Sequence, residues 1–208
     1  RFRPEPLAPP APNTRTAPST AILWCNLGSP DAPTAGAVRS YLAQFLSDPR
    51  VVEIPKPVWW PILHGVILRT RPAKSAAKYA SIWTDEGSPL KVWTARQAQM
   101  LRGRLAEAGH TVLVHDAMRY GRPGIGAQLD ALKAQGVERV LVLPAYPQYS
   151  GTTTASVIDE VNAWSQEVRR LPEFRFVNGY HDEPAYIEAL SRSVQRHWQQ
   201  HGQGEMLL

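Results

Sequence analysis

Short apolar runs alternate along this chain with segments in which apolar residues return every three or four positions. The runs AILWCNL (21–27), TVLVHDAM (111–118), RVLVLPAY (139–146) and FRFVNGY (174–180) predict buried β-strands. Residues 34–47, 89–108, 126–135, 155–169 and 183–200 carry helical periodicity, with Gly109 and Gly136 placed to end two of these helices. Strand and helix in alternation require right-handed crossovers, which produce a parallel sheet with helices on both faces, an α/β fold.

Two stretches break the pattern. Residues 48–91 form an insertion near the carboxyl end of the first strand, a place that predicts a lid. Its apolar portion, VWWPILHGVIL (58–68), is too short and too interrupted by Pro61 and His64 to span a bilayer. It suits a membrane surface or the mouth of an apolar pocket, unless its tryptophans only pack beneath the insertion. The second stretch, VLVLPAYPQYSGTTTAS from Val140 to Ser156, ends an apolar run in a polar, aromatic turn. Ligands of open α/β sheets bind beyond the carboxyl ends of the strands, so Tyr146, Gln148, Tyr149, Ser150 and Thr152 to Thr154 fall at a pocket; the same hydroxyls suit a capped helix start.

With 208 residues, 43% of them apolar, the chain can build one or two globular domains. A formal charge of +5 suits anionic partners. No long basic block, recognition motif, P-loop or GxGxxG accompanies it, which argues against nucleic acid and nucleotide phosphate. The single cysteine, Cys25, excludes a disulfide framework and a Cys-x-x-Cys metal site; it reads as a buried small hydrophobe in a reducing, cytoplasmic protein. Residues 1–20 are too rich in proline to pack, which predicts a disordered tail with neither a secretory signal nor an amphipathic transit helix. One domain is expected over 21–202, and residues 203–208 read as the start of the first strand of a second domain that the chain lacks.

Six segments then stand in a telling order: NLGSPDAPT from Asn26, YLAQFLSDPRVVEIP from Tyr41, RTRPAKSAAKY from Arg69, GSPLKVWT from Gly87, MRYGRP from Met118 and YPQYS from Tyr146. In that order they resemble the amino-terminal half of the ferrochelatases, bacterial type, from about residue 21 to the end of the chain. The resemblance implies a Rossmann-like sheet, the first of two similar halves around a porphyrin cleft. It also implies the activity, insertion of ferrous iron into protoporphyrin IX to form protoheme in the last step of heme synthesis.

A porphyrin is a flat apolar ring with two propionates on one edge, so its site needs apolar walls beside a cluster of cations and hydroxyls. By position in the matching segments, Leu27, Phe45 and Leu46 resemble the family's apolar lip. Arg71, Lys74, Tyr79 and Ser88 fall where the family meets propionates, and the first three recur at helical spacing suited to one face. Arg119 and Tyr120 resemble an inner-pocket pair, facing the same crevice as Tyr146 and Tyr149. Without the resemblance these residues read as core side chains, a solvated helix face, and a strand-end salt bridge with a packed ring.

Metal insertion requires a base near the ring centre, because two inner N–H groups must lose their protons. The resemblance places that histidine and glutamate beyond Leu208, so no catalytic residue and no metal ligand is expected in this chain, and the isolated chain is expected to be inactive. His64, His110, His115, His181, His197 and His201 lie in none of the matching catalytic motifs and suit surface or capping roles. Certain relatives hold an iron–sulfur cluster with a cysteine where this chain has Gly151, so no bound cofactor is expected from this half and iron enters as substrate. The expected partners are protoporphyrin IX and ferrous iron, with peripheral membrane contact as a further option. Two alternatives stay open: a chelatase of coproporphyrin or sirohydrochlorin, distinguished by how many carboxylates the basic cluster meets, and a non-catalytic two-lobed binding module.

Overall fold

Among the described residues, four parallel strands, β1 (Thr20–Asn26), β2 (Leu113–Met118), β3 (Arg139–Pro144) and β4 (Glu173–Phe176), pair in the order β2-β1-β3-β4. The computed structural model describes residues 2–3 and 19–204. β1 is central: Leu23 stands opposite His115 on one side and Val142 on the other. The chain winds one way from β1 to β2 and then reverses to reach β3. The connections that leave β1 and β3 therefore run to opposite faces of the sheet, and between them lies the place where open α/β sheets bind their ligands.

Among the described residues, seven α-helices accompany the sheet: α1 (Ala35–Ser47), α2 (Lys56–Ile62), α3 (Leu68–Ile82), α4 (Pro89–Glu107), α5 (Ile125–Ala134), α6 (Ser156–Ser165) and α7 (Pro184–His201). Alternation along β1 turns Ala21, Leu23 and Cys25 to one face, where they join Val140 and Val142 of β3. Ile125, Leu129 and Leu132 of α5 and Val157, Val161 and Trp164 of α6 cover them. Each fully buried large aliphatic side chain in this stack contributes roughly 1.5–3 kcal/mol, which outweighs the intrinsic helix propensity of either helix. The opposite face of β1 meets α4 through a hydrogen bond from Asn26 to Thr94. Thr34 accepts the Ala37 N–H to start α1, as its place before an apolar periodic run predicts. Gly109 and Gly136 follow α4 and α5 with positive φ.

The insertion is mostly helical. α2, a π-helical turn (Leu63–Ile67) and α3 run on from one another, with Pro61 and Pro72 inside. Each proline removes an N–H, and the wide turn re-registers the ladder, the Leu68 N–H reaching back five residues to the Leu63 carbonyl. Periodicity is hard to see across such breaks. The two tryptophans differ. The Trp59 indole N–H donates to the Leu46 carbonyl at 2.7 Å, whereas Trp60 is 64% exposed beside the His64 ring.

β1 begins at Thr20, one residue inside the expected tail. Within that tail, Arg3 pairs with Asp130 and Glu167, and Phe2 lies under the Arg169 guanidinium. Residues 1 and 4–18 lie outside the described residues, as do 205–208, on which the expected final strand falls.

Candidate functional site

The loop after β1 and the loop after β2 interlock at the crevice. The Arg119 N–H donates to the Asn26 carbonyl at 2.8 Å and the Tyr120 N–H to the Leu27 carbonyl at 2.9 Å, carrying the β1–β2 ladder past the strand ends. Gly28 makes this possible. Its φ is +103°, and a Cβ there would overlap the Tyr120 carbonyl oxygen. Asn26 is buried, and its side chain ties three elements: Nδ2 donates to Thr94 Oγ1 at 2.9 Å, while Oδ1 accepts the Leu27 N–H at 2.8 Å and the Tyr146 hydroxyl at 3.1 Å. Burial pushes the Tyr146 hydroxyl above its usual range, so it stays a neutral donor.

An aromatic wall rises from this floor. Tyr41 is buried on α1; it donates to the Gly28 carbonyl, stacks on Phe45 at 6.0 Å, and meets Tyr79 and Tyr120 edge-on at 6.3 and 6.4 Å. Phe45 in turn meets Tyr120 edge-on at 5.2 Å. Leu27 and Leu46 are half-buried beside this cluster. The helical spacing of four between Tyr41 and Phe45 places both rings on one side of α1.

Where α1 ends, Asp48 gathers donors from three parts of the chain. Its Oδ2 accepts from Arg119 Nη2 at 2.8 Å, the Tyr120 hydroxyl at 2.7 Å and the Ser156 hydroxyl at 2.5 Å, while Oδ1 accepts the Arg50 N–H at 2.7 Å. Burial alone would raise the Asp48 carboxyl; the Ser156 and Tyr120 hydroxyls, the Arg50 N–H and the Arg119 cation together outweigh it and hold the group below its ordinary range. Burial leads the rise of the Tyr120 hydroxyl to about 12. Arg119 uses its remaining nitrogens on Ser156, through Nε, and on Glu160, through Nη1 at 3.0 Å. Its charge is neutralised within the fold, and Tyr120 is 1% exposed, the strand-end ion pair and packed ring that bare sequence reading also allowed.

Free positive charge lies instead on α3. Arg71 and Lys74 are exposed, and among the described residues no carboxylate pairs with either. Tyr79 does not share their face. At about 100° per residue it sits about 80° from Arg71 and about 140° from Lys74, turned toward Tyr41, so Lys78 completes the cationic stripe in its place. Spacings of three and five look like one face in a sequence, but only contact with α1 shows which side of the helix is buried. Ser88, at the start of α4, is buried and accepts from the Ser29 hydroxyl at 2.7 Å.

Ring contacts thus join Phe45, Tyr79 and Tyr120 around Tyr41, hydrogen bonds tie Arg119 and Tyr120 to Asp48 and Tyr146 to Asn26, Ser88 lies behind the β1 loop, and Arg71 and Lys74 lie on the exposed side of α3. Tyr149, 57% exposed, lines a neighbouring groove with α7. Asn26, Tyr41, Asp48 and Ser156 were not singled out from sequence. Tyr41 and Phe45 carried a usable signal, an aromatic pair at i and i+4; Asp48 and Ser156 carried none, because their partners lie 71 and 108 residues apart in sequence. Among the described residues no cluster of three or more His, Cys, Asp or Glu side chains is arranged to hold a metal, and no helix is long and apolar enough to cross a membrane. Neutral hydroxyls, aromatic rings and a cationic rim suit a flat apolar ligand with an anionic edge.

The ferrochelatase family model matches residues 19–208. A ferrochelatase of Polaromonas sp. strain JS666 is 65% identical across the whole chain, which covers 56% of that relative. One of Methylibium petroleiphilum is 66% identical over 90% of the chain and 52% of the relative, and one of Aromatoleum aromaticum is 57% identical over all of the chain and 56% of the relative. The chain spans about half the length of these curated relatives, and over that span it belongs to the ferrochelatase family.

Proposed function

We propose that the protein containing this chain inserts ferrous iron into protoporphyrin IX, and that this chain seats the ring. One juxtaposition carries the reading: the aromatic wall of Tyr41, Phe45 and Tyr120 stands at the sheet's switch point, and the helix packed on that wall through Tyr79 bears the unpaired Arg71 and Lys74. In this reading Leu27, Phe45 and Leu46 contact the ring. Arg71 and Lys74 meet a propionate, with the Tyr79 and Ser88 hydroxyls behind them. Arg119, held by Asp48, Glu160 and Ser156, shapes the inner wall together with Tyr120, Tyr146 and Tyr149.

Insertion forms iron–nitrogen bonds and expels two protons from the ring nitrogens, with no change in iron oxidation state. In this reading the chain seats the ring, and the groups that take those protons fall in the length of the relatives that the chain does not span. Gly151 offers no side chain for an iron–sulfur ligand. A cytoplasmic protein in peripheral contact with a bilayer fits the exposed Val58, Trp60, Ile62 and Val66 beside Lys56 and Arg69.

The test is an absorption titration of the full-length protein and its Arg71→Ala variant with protoporphyrin IX. Loss of one charge-assisted contact is expected to weaken affinity by about tenfold or more. Equal affinities remove Arg71 from the site, and no uptake of any tetrapyrrole overturns the reading. Tighter binding of coproporphyrin, which carries more carboxylates, favours the alternative chelatase.

A further inference from the structure

The aromatic wall joins two ends of opposite charge. Its contacts run from Tyr79 on α3 to Tyr41, from Tyr41 to Phe45 and Tyr120, and from the Tyr120 hydroxyl to Asp48. At the α3 end Arg71 and Lys74 meet no carboxylate among the described residues. At the Asp48 end carboxylates outnumber cations. Arg119 is held by Asp48 at 2.8 Å and by Glu160 at 3.0 Å, while the Arg50 guanidinium is paired with Asp159 at 2.7 Å. Two guanidiniums against three carboxylates leave one net negative charge in this corner. Asp48 and Arg119 balance each other, as do Asp159 and Arg50, so the surplus belongs to Glu160.

Each of the three guanidinium nitrogens of Arg119 already has an oxygen partner, on Ser156, Asp48 or Glu160, and its Cζ lies 4.5 Å from the centre of the Tyr120 ring. A cation so engaged draws an incoming carboxylate only weakly. Glu160, with 38% of its side chain exposed against 4% for Asp48, presents its charge to whatever enters. With the ring seated as proposed, its propionates toward Arg71 and Lys74, the opposite edge faces this corner. We propose, resting on that seating, that Glu160 determines specificity: its surplus carboxylate repels a tetrapyrrole bearing propionates on both edges and so favours protoporphyrin IX, whose propionates share one edge. Discrimination by a repulsive element needs no contact with the preferred ligand. It gives a use to a carboxylate that the Asp48–Arg119 pair does not require for charge balance.

Absorption titrations of the full-length protein with protoporphyrin IX and with coproporphyrin III, on the wild type, Glu160→Gln and Glu160→Asp, test this role. Glutamine keeps the side-chain length and an oxygen for Arg119 while removing the charge. Glu160→Gln is expected to tighten coproporphyrin binding by about tenfold, a gain that a damaged scaffold does not give. Glu160→Asp keeps the charge and should hold the wild-type preference for protoporphyrin. Unchanged or weaker coproporphyrin binding in Glu160→Gln overturns the proposal, as does an equal gain in Glu160→Asp. So does a wild type that binds coproporphyrin more tightly than protoporphyrin. Where the wild type takes up protoporphyrin and Glu160→Gln shows no gain, the proposed activity stands and only this role for Glu160 falls. No uptake of either porphyrin by the wild type overturns both.

Discussion

The carboxylate of Asp48 and the guanidinium of Arg119 meet at 2.8 Å with side-chain exposures of 4% and 16%, an ion pair shut into the corner where α1, β2 and α6 converge. Each partner's remaining hydrogen-bonding groups are satisfied by Tyr120, Ser156, Glu160 and the Arg50 backbone. A buried pair of this kind adds little over apolar packing, yet removing one member strands the other. It fixes the end of α1, which carries Phe45 and Leu46, against the end of β2.

Asp48→Asn is therefore expected to destabilise the chain by about 3 kcal/mol at pH 7. The folded carboxyl is held below its ordinary pKa, so on acidification the unfolded chain takes up the proton first. The contribution is complete above the unfolded value of about 3.9 and is lost as pH falls below it. Urea unfolding at pH 7, 5 and 3 should show the gap between wild type and variant constant over the first two and shrinking at the third. A gap independent of pH would mean that the charge is not what matters.

Gly28→Ala is expected to cost more than about 2 kcal/mol, since it adds a side chain at a positive φ and against the Tyr120 carbonyl. Gly36, near the start of α1, has nothing within 4 Å of an added Cβ. Gly36→Ala should be neutral or stabilise by up to about 1 kcal/mol. Similar melting temperatures for the two variants would contradict the interlocked loops.

Arg71→Ala and Lys74→Ala should leave unfolding free energy within about 0.5 kcal/mol of wild type, because both side chains are exposed and unpaired among the described residues. The same variants should weaken binding of a dicarboxylate porphyrin. A stability loss matching the affinity loss would instead make these cations part of the scaffold.

Cys25 is 0% exposed, and burial pushes its thiol well above the ordinary cysteine range. Labelling by a thiol reagent at pH 8 should proceed only as fast as the protein opens, and should become rapid in denaturant. Fast labelling of the folded chain would show that the core around β1 is not closed.

Much of this architecture is local and was legible in the chain. Four apolar runs of period two or less, five segments of period 3.6, and glycines after α4 and α5 specify strands, helices and ends, because each depends on residues within a turn or two of one another. Tyr120 and Tyr146 could be picked out because ligands of parallel sheets bind beyond the strand ends, and Leu27 and Phe45 only because the segments around them resemble the ferrochelatases. The helical insertion was harder, since Pro61 and Pro72 break the pattern that α2 and α3 nevertheless keep.

What only the tertiary structure decided is which distant residues meet. The strand order that sends the connections after β1 and β3 to opposite faces, the turn of Tyr79 away from Arg71 and Lys74, and the gathering of Asp48, Arg119, Tyr120 and Ser156 all depend on packing between elements far apart in sequence. Hydrophobic burial brings such elements together without regard to sequence distance, and hydrogen bonds between buried polar groups then select one arrangement. A periodic pattern records which face of a helix or strand is apolar, but not what that face will meet.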